Sequence, residues 1–198
     1  MPKSNSRVER ENDDVCVAED NVINRRTLFS AIAGMGVLAA TGAAVQAQED
    51  DGPAPGDILV NSKGGAVLTP ADIDPTAKTV VIAYAQDADG NVKKGNKNKI
   101  AVVKVDASNI GSESEGRGVD GLMAYSAICT HAGCEVKSFL PDRGVMRCPC
   151  HGSEFDPANN GVVEKGPAKH RLASLVIAVE NDQIVIKEGF DAEVGAQS

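Results

Sequence analysis

Two short stretches of the chain carry most of its metal-binding side chains: Cys129-Thr130-His131-Ala132-Gly133-Cys134 and Cys148-Pro149-Cys150-His151-Gly152-Ser153. They hold four of the five cysteines and two of the three histidines. Written as spacing, the pattern is C-x-H, then sixteen residues, then C-x-x-H, with one further cysteine in each stretch. Each stretch therefore offers one cysteine–histidine pair, and the two pairs form one site only where the fold brings them together.

These residue types restrict the metal that such a site could bind. Thiolate and imidazole ligands select zinc, copper or iron–sulfur chemistry. Two cysteines and two histidines could close a tetrahedral zinc site, although zinc sites of that composition usually pair C-x-x-C with H-x-x-x-H. One cysteine and one histidine from each stretch instead suit a two-iron cluster, with one iron held by two sulfurs and the other by two nitrogens. A zinc site, a two-iron cluster and a purely structural pair of disulfides all stay open at this point.

The two stretches resemble the signature loops of the Rieske [2Fe–2S] proteins, C-T-H-x-G-C and C-P-C-H-G-S. The likeness covers the C-terminal part of the chain, and a double match of this kind is highly specific. The resemblance implies a [2Fe–2S] cluster as the cofactor. It also implies the ligands: Cys129 and Cys148 on one iron, His131 and His151 on the other.

The same resemblance implies roles for other residues around the loops. Cys134 and Cys150 would form a disulfide between the loops, and Ser153 would hydrogen-bond a cluster sulfur. The stretch Gly166-Pro167-Ala168 stands at the place of the proline-containing loop that packs over the cluster in this family. Rieske proteins of aromatic-ring dioxygenases lack the extra cysteine pair. The match is therefore to the high-potential branch of the family, which is associated with quinols or the periplasm.

Two positions depart from the pattern of the respiratory cytochrome bc complexes. Those relatives usually have Leu after the first-loop histidine and Tyr two residues after the serine, whereas this chain has Ala132 and Phe155. Both differences weaken the expectation of docking to a quinol site without affecting cluster binding. In these respects the chain is similar to the Rieske subunits of periplasmic molybdenum enzymes such as arsenite oxidase, which also carry Phe at the second position.

Outside the loops, short runs rich in Val and Ile alternate with turn residues, a pattern typical of β-strands. We predict strands over residues 58–60, 79–84, 100–105, 122–125, 145–147, 175–179 and 184–186. Asn181-Asp182 predicts a hairpin turn between the last two strands, and Thr69-Pro70-Ala71-Asp72 predicts one short helical turn. The predicted fold class is all-β: a small antiparallel Rieske-type sandwich with a cluster-binding loop subdomain.

Composition and charge narrow the class of partner. The formal net charge is −8, and no basic stripe is visible along the sequence, so we expect no nucleic-acid partner. The lysines at positions 93, 94, 97 and 99 cluster near a hairpin tip, where they form either a solvated loop or a contact with an acidic partner. His170 lacks ligand spacing, so it is either a solvated surface residue or a contact near the cluster.

The first 47 residues predict an export signal. Arg25 and Arg26 precede a run without charge from residue 28 to residue 47, which ends in Val45-Gln46-Ala47. A paired arginine, a modest apolar region and an A-x-A-like end are typical of twin-arginine signals. The alternatives are cleavage after Ala47, retention of residues 28–47 as an anchor in the inner membrane, or an arginine pair on the surface of the domain. Cys16 falls in this segment and has no predicted role.

The predicted organisation is a signal or anchor over 1–47, a linker over 48–57 and the Rieske domain over 58–198. The linker is a charged stretch rich in Pro and Gly that we expect not to pack. We predict a periplasmic protein, either soluble or anchored, that reaches its compartment through the twin-arginine translocase.

The predicted function is that of an electron-transfer subunit. It would pass single electrons from a quinol or a partner oxidoreductase to a c-type cytochrome or a similar acceptor. Its partner would be a membrane cytochrome bc-type complex or the large subunit of a periplasmic oxidoreductase. A non-redox binding module stabilised by zinc is the alternative. No residue has the setting of a substrate-transforming nucleophile or base, so we expect no catalytic residue in this chain alone.

Overall fold

A computed structural model describes residues 52–197 of the chain. The predicted export signal, Cys16, and residues 48–51 of the predicted linker lie outside the described residues. Within these residues, ten β-strands form two antiparallel sheets. The strands are β1 (Ile58–Asn61), β2 (Val81–Gln86), β3 (Ile100–Lys104), β4 (Leu122–Ser126), β5 (Ser138–Leu140), β6 (Val145–Arg147), β7 (Glu154–Asp156), β8 (Val162–Lys165), β9 (Val176–Glu180) and β10 (Gln183–Glu188).

The larger sheet has six strands in the order β4-β3-β2-β1-β10-β9 and is nearly closed on itself. The segment before β9 hydrogen-bonds back to β4, since Ser126 N–H donates to the Ala173 carbonyl over 2.8 Å and Leu175 N–H to the Ala124 carbonyl over 3.0 Å. The smaller sheet has four strands in the order β5-β6-β7-β8. The all-β prediction, with a separate subdomain bearing the loops, is confirmed.

Two cores explain why all residues of β3 and β4 except the last are apolar or aromatic. Side chains alternate between the faces of a strand. Ile100 and Val102 of β3 pack inside the larger sheet, whereas Ala101 and Val103 pack against the smaller sheet with Phe139. Both faces of these strands are therefore buried, and β4 carries the first cluster loop directly from this doubly buried position.

All seven predicted strands are present, with bounds that differ by up to two residues, and both predicted turns are confirmed. Asn181 and Asp182 take φ values of 50° and 62°, which suit a two-residue hairpin turn. Residues Pro70–Asp72 form a 3₁₀ turn, and the Asp72 carboxylate accepts from the Thr69 N–H over 2.8 Å. Further 3₁₀ turns span Asn96–Asn98, Ala107–Asn109, Ser112–Ser114 and Pro157–Asn159. No helical segment within residues 52–197 has the length and apolar character needed to cross a membrane.

Strands β5, β7 and β8 were not predicted, because they are three or four residues long and mix polar with apolar side chains. The expectation that the linker does not pack is also wrong for its last residues. Pro53 and Asp57 are buried, and the Asp57 carboxylate pairs with the Lys93 ammonium group over 2.9 Å. The Gly56 N–H also donates to the Ile186 carbonyl over 2.8 Å, so this segment lies against β10.

Candidate metal centre

The first loop, residues 129–134, follows β4 and folds into a closed turn. The Cys129 N–H donates to the Cys134 carbonyl over 2.8 Å, and the Gly133 N–H donates to the Cys129 carbonyl over 2.9 Å. Gly133 has a φ of 73°, a left-handed conformation that favours glycine. The two ends of the loop are thereby held together, with Cys129 at its base.

The second loop, residues 148–153, repeats this backbone pattern between β6 and β7. The Cys148 N–H donates to the Ser153 carbonyl over 2.8 Å, and the Gly152 N–H donates to the Cys148 carbonyl over 3.0 Å. Gly152 has a φ of 74°. In both loops the first residue bonds to the sixth and the fifth is a left-handed glycine. The two sequence signatures therefore specify one and the same turn.

The fold brings the four predicted ligands together. Cys129 and Cys148 are free thiols, each only 1% exposed, and they share one apolar core. The imidazole rings of His131 and His151 lie with their centroids 4.8 Å apart and their planes at 85°. Burial raises the pKa of the Cys129 thiol, and its interaction with Cys148 also raises it. A neighbouring cation is what would keep such buried sulfurs in the thiolate form.

The remaining two cysteines form a disulfide between the loops. Cys134 and Cys150 are bonded, with their Cα atoms 6.5 Å apart, as the resemblance implied. The Sγ atoms of Cys134, Cys148 and Cys150 lie within 4.8 Å of one another. Two of these three sulfurs are consumed by the disulfide, so this trio is not a metal site of its own. The disulfide instead lies directly beside one candidate ligand.

The stretch from Gly166 to Ala168 approaches the second loop closely. Gly166 has a φ of 95°, and a Cβ atom added there would lie 2.6 Å from the Ser153 Cα atom. The Ala168 N–H donates to the Ser153 hydroxyl oxygen over 3.2 Å. The predicted contact of this stretch with the cluster loops is therefore present. Because Ser153 Oγ accepts this bond, its own proton stays available for another acceptor.

A model of the Rieske [2Fe–2S] domain matches residues 78–176, which is half of the chain and includes both loops. The chain belongs to the Rieske [2Fe–2S] family. Its cofactor is accordingly a [2Fe–2S] cluster, as the resemblance implied.

Three known proteins that are similar in sequence to this Rieske protein are described here by their identity and coverage. The cytochrome bc1 complex Rieske iron–sulfur subunit of Streptomyces coelicolor is 28% identical over 198 residues, which cover 90% of this chain and 55% of that protein. The cytochrome b6-f complex iron–sulfur subunit of a Prochlorococcus marinus strain is 35% identical over 122 residues, 61% of each chain. The crystal structure of the plasma-membrane Rieske protein PetC3 from Synechocystis PCC 6803 is 28% identical, with 61% and 96% coverage and a TM-score of 0.39. The chain thus spans about half the length of the Streptomyces relative.

The residues of this Rieske domain fit a cluster at the loops. The Nδ1 atom of His131 is buried and has no hydrogen-bond partner among the described residues. Buried polar nitrogens are rarely left unpaired, and a metal ion would satisfy this one. Two buried thiols and two adjacent imidazoles are also the donor set of a cluster with mixed sulfur and nitrogen ligation.

Phe155 packs in the apolar core that also holds the two candidate cysteine ligands. It is fully buried on β7, opposite Met146 and Val163. Phe155 fills this place with a ring and offers no hydrogen-bond donor. Ala132, the other departure from the cytochrome bc pattern, is an exposed residue at the tip of the first loop.

Sequence reasoning missed several residues that hold the loops in place. The Thr130 hydroxyl donates to the His170 carbonyl over 2.6 Å, which ties the first loop to the stretch after Pro167. His170 itself is exposed, and its contact with the loop is made by its backbone. Thr130, the threonine inside the first signature, was the one feature of the sequence that pointed to this contact. Nothing in the sequence indicated its partner, the His170 carbonyl 40 residues away.

The Asp191 carboxylate also holds the segment that follows Pro167 in place. Arg171 binds Asp191 through two nitrogens, each 3.0 Å from a carboxylate oxygen, and the Ser174 N–H donates to Asp191 over 2.8 Å. Arg117 pairs with Asp191 over 2.8 Å. Burial alone would raise the pKa of Asp191, but the hydrogen bonds from Arg171 and Ser174 outweigh it and hold the pKa below the usual 3.8.

Proposed function

We propose that this Rieske protein is the electron-transfer subunit of an exported oxidoreductase complex. The observation that carries the proposal is the meeting of two buried free thiols and two adjacent histidines on loops joined by a disulfide. In this proposal Cys129 and Cys148 hold one iron, and His131 and His151 hold the other. The bound cluster supplies one-electron chemistry.

The residues of the chain shield and position that site. The Cys134–Cys150 disulfide fastens the loops to each other, and the stretch from Gly166 to Ala168 packs against the second loop. Both thiols are excluded from water, whereas His151 is exposed. The exposed histidine therefore offers the short path between the site and a partner, and the buried cysteines keep the site away from solvent.

The donor in this proposal is a quinol or a partner oxidoreductase, and the acceptor is a c-type cytochrome or a similar protein. The names of the relatives support membership of such a complex: they include subunits of cytochrome bc1 and b6-f complexes and a putative respiratory nitrate reductase subunit Rieske from Haloferax mediterranei, 41% identical over 78 residues. Ala132 and Phe155 favour the large subunit of a periplasmic oxidoreductase over a quinol site as the partner.

Spectra of the purified protein test the proposed site. A reduced [2Fe–2S] cluster with mixed ligands gives a paramagnetic resonance signal, and the oxidised cluster absorbs visible light. We expect two irons per chain, and we expect His131→Ala to abolish the native signal. Zinc is silent in both spectra, so a colourless protein with one zinc per chain would refute the electron-transfer proposal and favour the zinc-stabilised module.

Export through the twin-arginine translocase is a separate part of the proposal, with a periplasmic location as its consequence. It rests on Arg25, Arg26 and the uncharged run that follows. Replacing both arginines by lysine keeps the charge, yet should leave the folded protein in the cytoplasm. Arg7→Lys with Arg10→Lys is the matched control and should leave the periplasmic yield unchanged. Unchanged export of the Arg25→Lys, Arg26→Lys variant would contradict this proposal.

A further inference from the structure

The cluster loops lie at one end of the strands of the smaller sheet, and several basic side chains lie at that end. In the strand register Ser138 pairs with Arg147, Arg147 with Glu154, and Glu154 with Lys165. These positions lie next to the loops along the chain, because Arg147 precedes Cys148 and Lys165 precedes Gly166. The strand register and the sequence positions therefore place this end of the sheet directly beside the metal centre.

Five exposed cations lie at or near this end of the sheet, and we name them the basic collar: Lys78, Lys137, Arg147, Lys165 and Lys169. The Lys78 carbonyl accepts from the Phe139 N–H, and the Lys137 carbonyl accepts from the Val80 N–H, so both lysines flank the start of β5. An open cleft is lined by Lys78, Arg147 and Pro149, which connects the collar to the second loop. Lys169 follows Ala168 on the stretch that packs on that loop.

Two carboxylates near the basic collar are engaged elsewhere, and a third, Asp142, lines the same cleft as Lys78 and Arg147. Glu135 pairs with Lys99 over 2.7 Å, and the buried Glu154 pairs with Arg143 over 2.6 Å. Glu154 reaches Arg147 only at 3.9 Å, and the Arg147 side chain is 49% exposed. Within residues 52–197, the four collar lysines have no carboxylate within ion-pairing distance. The collar therefore keeps a net positive charge.

The end of the smaller sheet at the β5–β6 turn has the reverse charge, and its cavity adjoins the cleft of the collar at Phe139, Pro141 and Asp142. A cavity at the β5–β6 turn is lined by five carboxylates against Lys104 and Arg143: Asp106, Asp120, Asp142, Asp156 and Glu164. The protein as a whole carries a net charge of −8. The end of the domain that bears the cluster loops is thus basic, whereas the rest of the protein is acidic. Such a charge asymmetry orients the molecule as it approaches a charged partner.

We propose that the basic collar docks the acidic face of a redox partner protein and so directs the cluster loops toward it. This inference rests on the proposed electron-transfer function. The partner's carboxylates would meet the collar cations around the loops, while the acidic end at the β5–β6 turn is repelled. Complementary charge of this kind raises the association rate and selects the orientation of docking.

The first test uses two small oxidants of opposite charge and the reduced, cluster-loaded protein in stopped flow. Ferricyanide should react faster at low than at high ionic strength, despite the overall charge of −8, and a tris(phenanthroline)cobalt(III) cation should show the opposite trend. Removing two collar charges by Lys137→Gln with Lys165→Gln should slow ferricyanide about tenfold at low salt. The control Lys104→Gln, at the acidic end, should change the rate by less than twofold.

A second test reports on the collar without any electron transfer. Lysine acetylation is mapped by mass spectrometry with poly-L-glutamate, and separately with phosphatidylglycerol vesicles. Poly-L-glutamate should protect Lys137, Lys165 and Lys169 but not Lys104. Equal protection of all four lysines, or stronger protection by vesicles than by the polypeptide, would overturn the proposal, the latter in favour of a membrane surface.

Voltammetry separates the failure of this inference from the failure of the proposed function. A protein without a reversible one-electron wave would overturn electron transfer, while the acetylation map would still decide on the collar. A normal wave together with unchanged ferricyanide rates in the double lysine variant would overturn the collar alone.

Discussion

The contact between Gly166 and the second cluster loop leads to a prediction whose size follows from the structure. Gly166 has a φ of 95°, and an L-residue in the left-handed region costs about 1–2 kcal/mol. The Cβ atom of Gly166→Ala would lie 2.6 Å from the Ser153 Cα atom and 2.8 Å from its nitrogen. Ordinary carbon contacts begin near ~3.5 Å, so the two backbones must separate by about 1 Å.

That separation would break a buried hydrogen bond. The Ala168 N–H donates to the Ser153 hydroxyl oxygen over 3.2 Å, and both residues are buried. Leaving these groups unpaired costs about 1–3 kcal/mol. The total for Gly166→Ala is therefore about 2–5 kcal/mol of stability, obtained by adding the conformational cost to the lost bond.

Gly144→Ala is the matched control for this prediction. Gly144 has a φ of 66° but would place its Cβ atom within 4 Å of nothing, so it carries only the conformational cost. For a domain of this size, 1 kcal/mol shifts Tm by roughly 3 °C. We expect Gly166→Ala to melt roughly 3–9 °C below Gly144→Ala and to lose its visible absorbance sooner on heating. Equal melting temperatures and equal lifetimes would refute the proposed packing against Ser153.

Three further predictions concern the disulfide, Phe155 and the Asp191 contacts. Cys134→Ser with Cys150→Ser should still assemble the cluster but lose it faster on heating, because a disulfide closing a loop of this length contributes ~3 kcal/mol; equal thermal lifetimes would contradict this. Phe155→Tyr should raise the reduction potential by about 40 mV, since one neutral hydrogen bond to a sulfur is worth ~1 kcal/mol. Film voltammetry decides this, and an unchanged or lower potential would show that the hydroxyl does not reach the sulfur. The lowered pKa of Asp191 adds stability that is fully present above pH ~4 and is lost as the pH falls through the folded-state pKa. In the Asp191→Asn variant, the free energy of unfolding should therefore depend less steeply on pH in the acid range. An unchanged pH dependence would count against these contacts.

Both cluster loops could be predicted from sequence because their information is local. Each signature of six residues carries the candidate ligands together with the glycine that permits the turn, Gly133 in one and Gly152 in the other. The long strands were predictable for a similar reason. In β3, for example, four buried apolar residues follow one another because both faces of the strand are covered.

The contacts that hold the loops were not predictable, because each joins distant parts of the chain. Thr130 meets the His170 carbonyl across 40 residues, and Arg117 meets Ser174 across 57 residues. Strand β7 contains Glu154, whose burial depends on its pairing with Arg143. No local propensity indicates such a pair. The packing of Pro53 was missed in the same way, because composition predicts a linker wherever proline and charge accumulate.

Nitrogen couplings measured on the reduced protein test the central claim most directly. The chain contains three histidines, so labelling histidine with ¹⁵N marks His131, His151 and His170 together. Pulsed paramagnetic resonance of the labelled protein should show two strongly coupled histidine nitrogens. The His170→Gln variant should keep both couplings, while His131→Cys or His151→Cys should lose at least one. A reduced cluster without any coupled histidine nitrogen, or one whose couplings survive the loss of His131, would contradict the proposed ligand set.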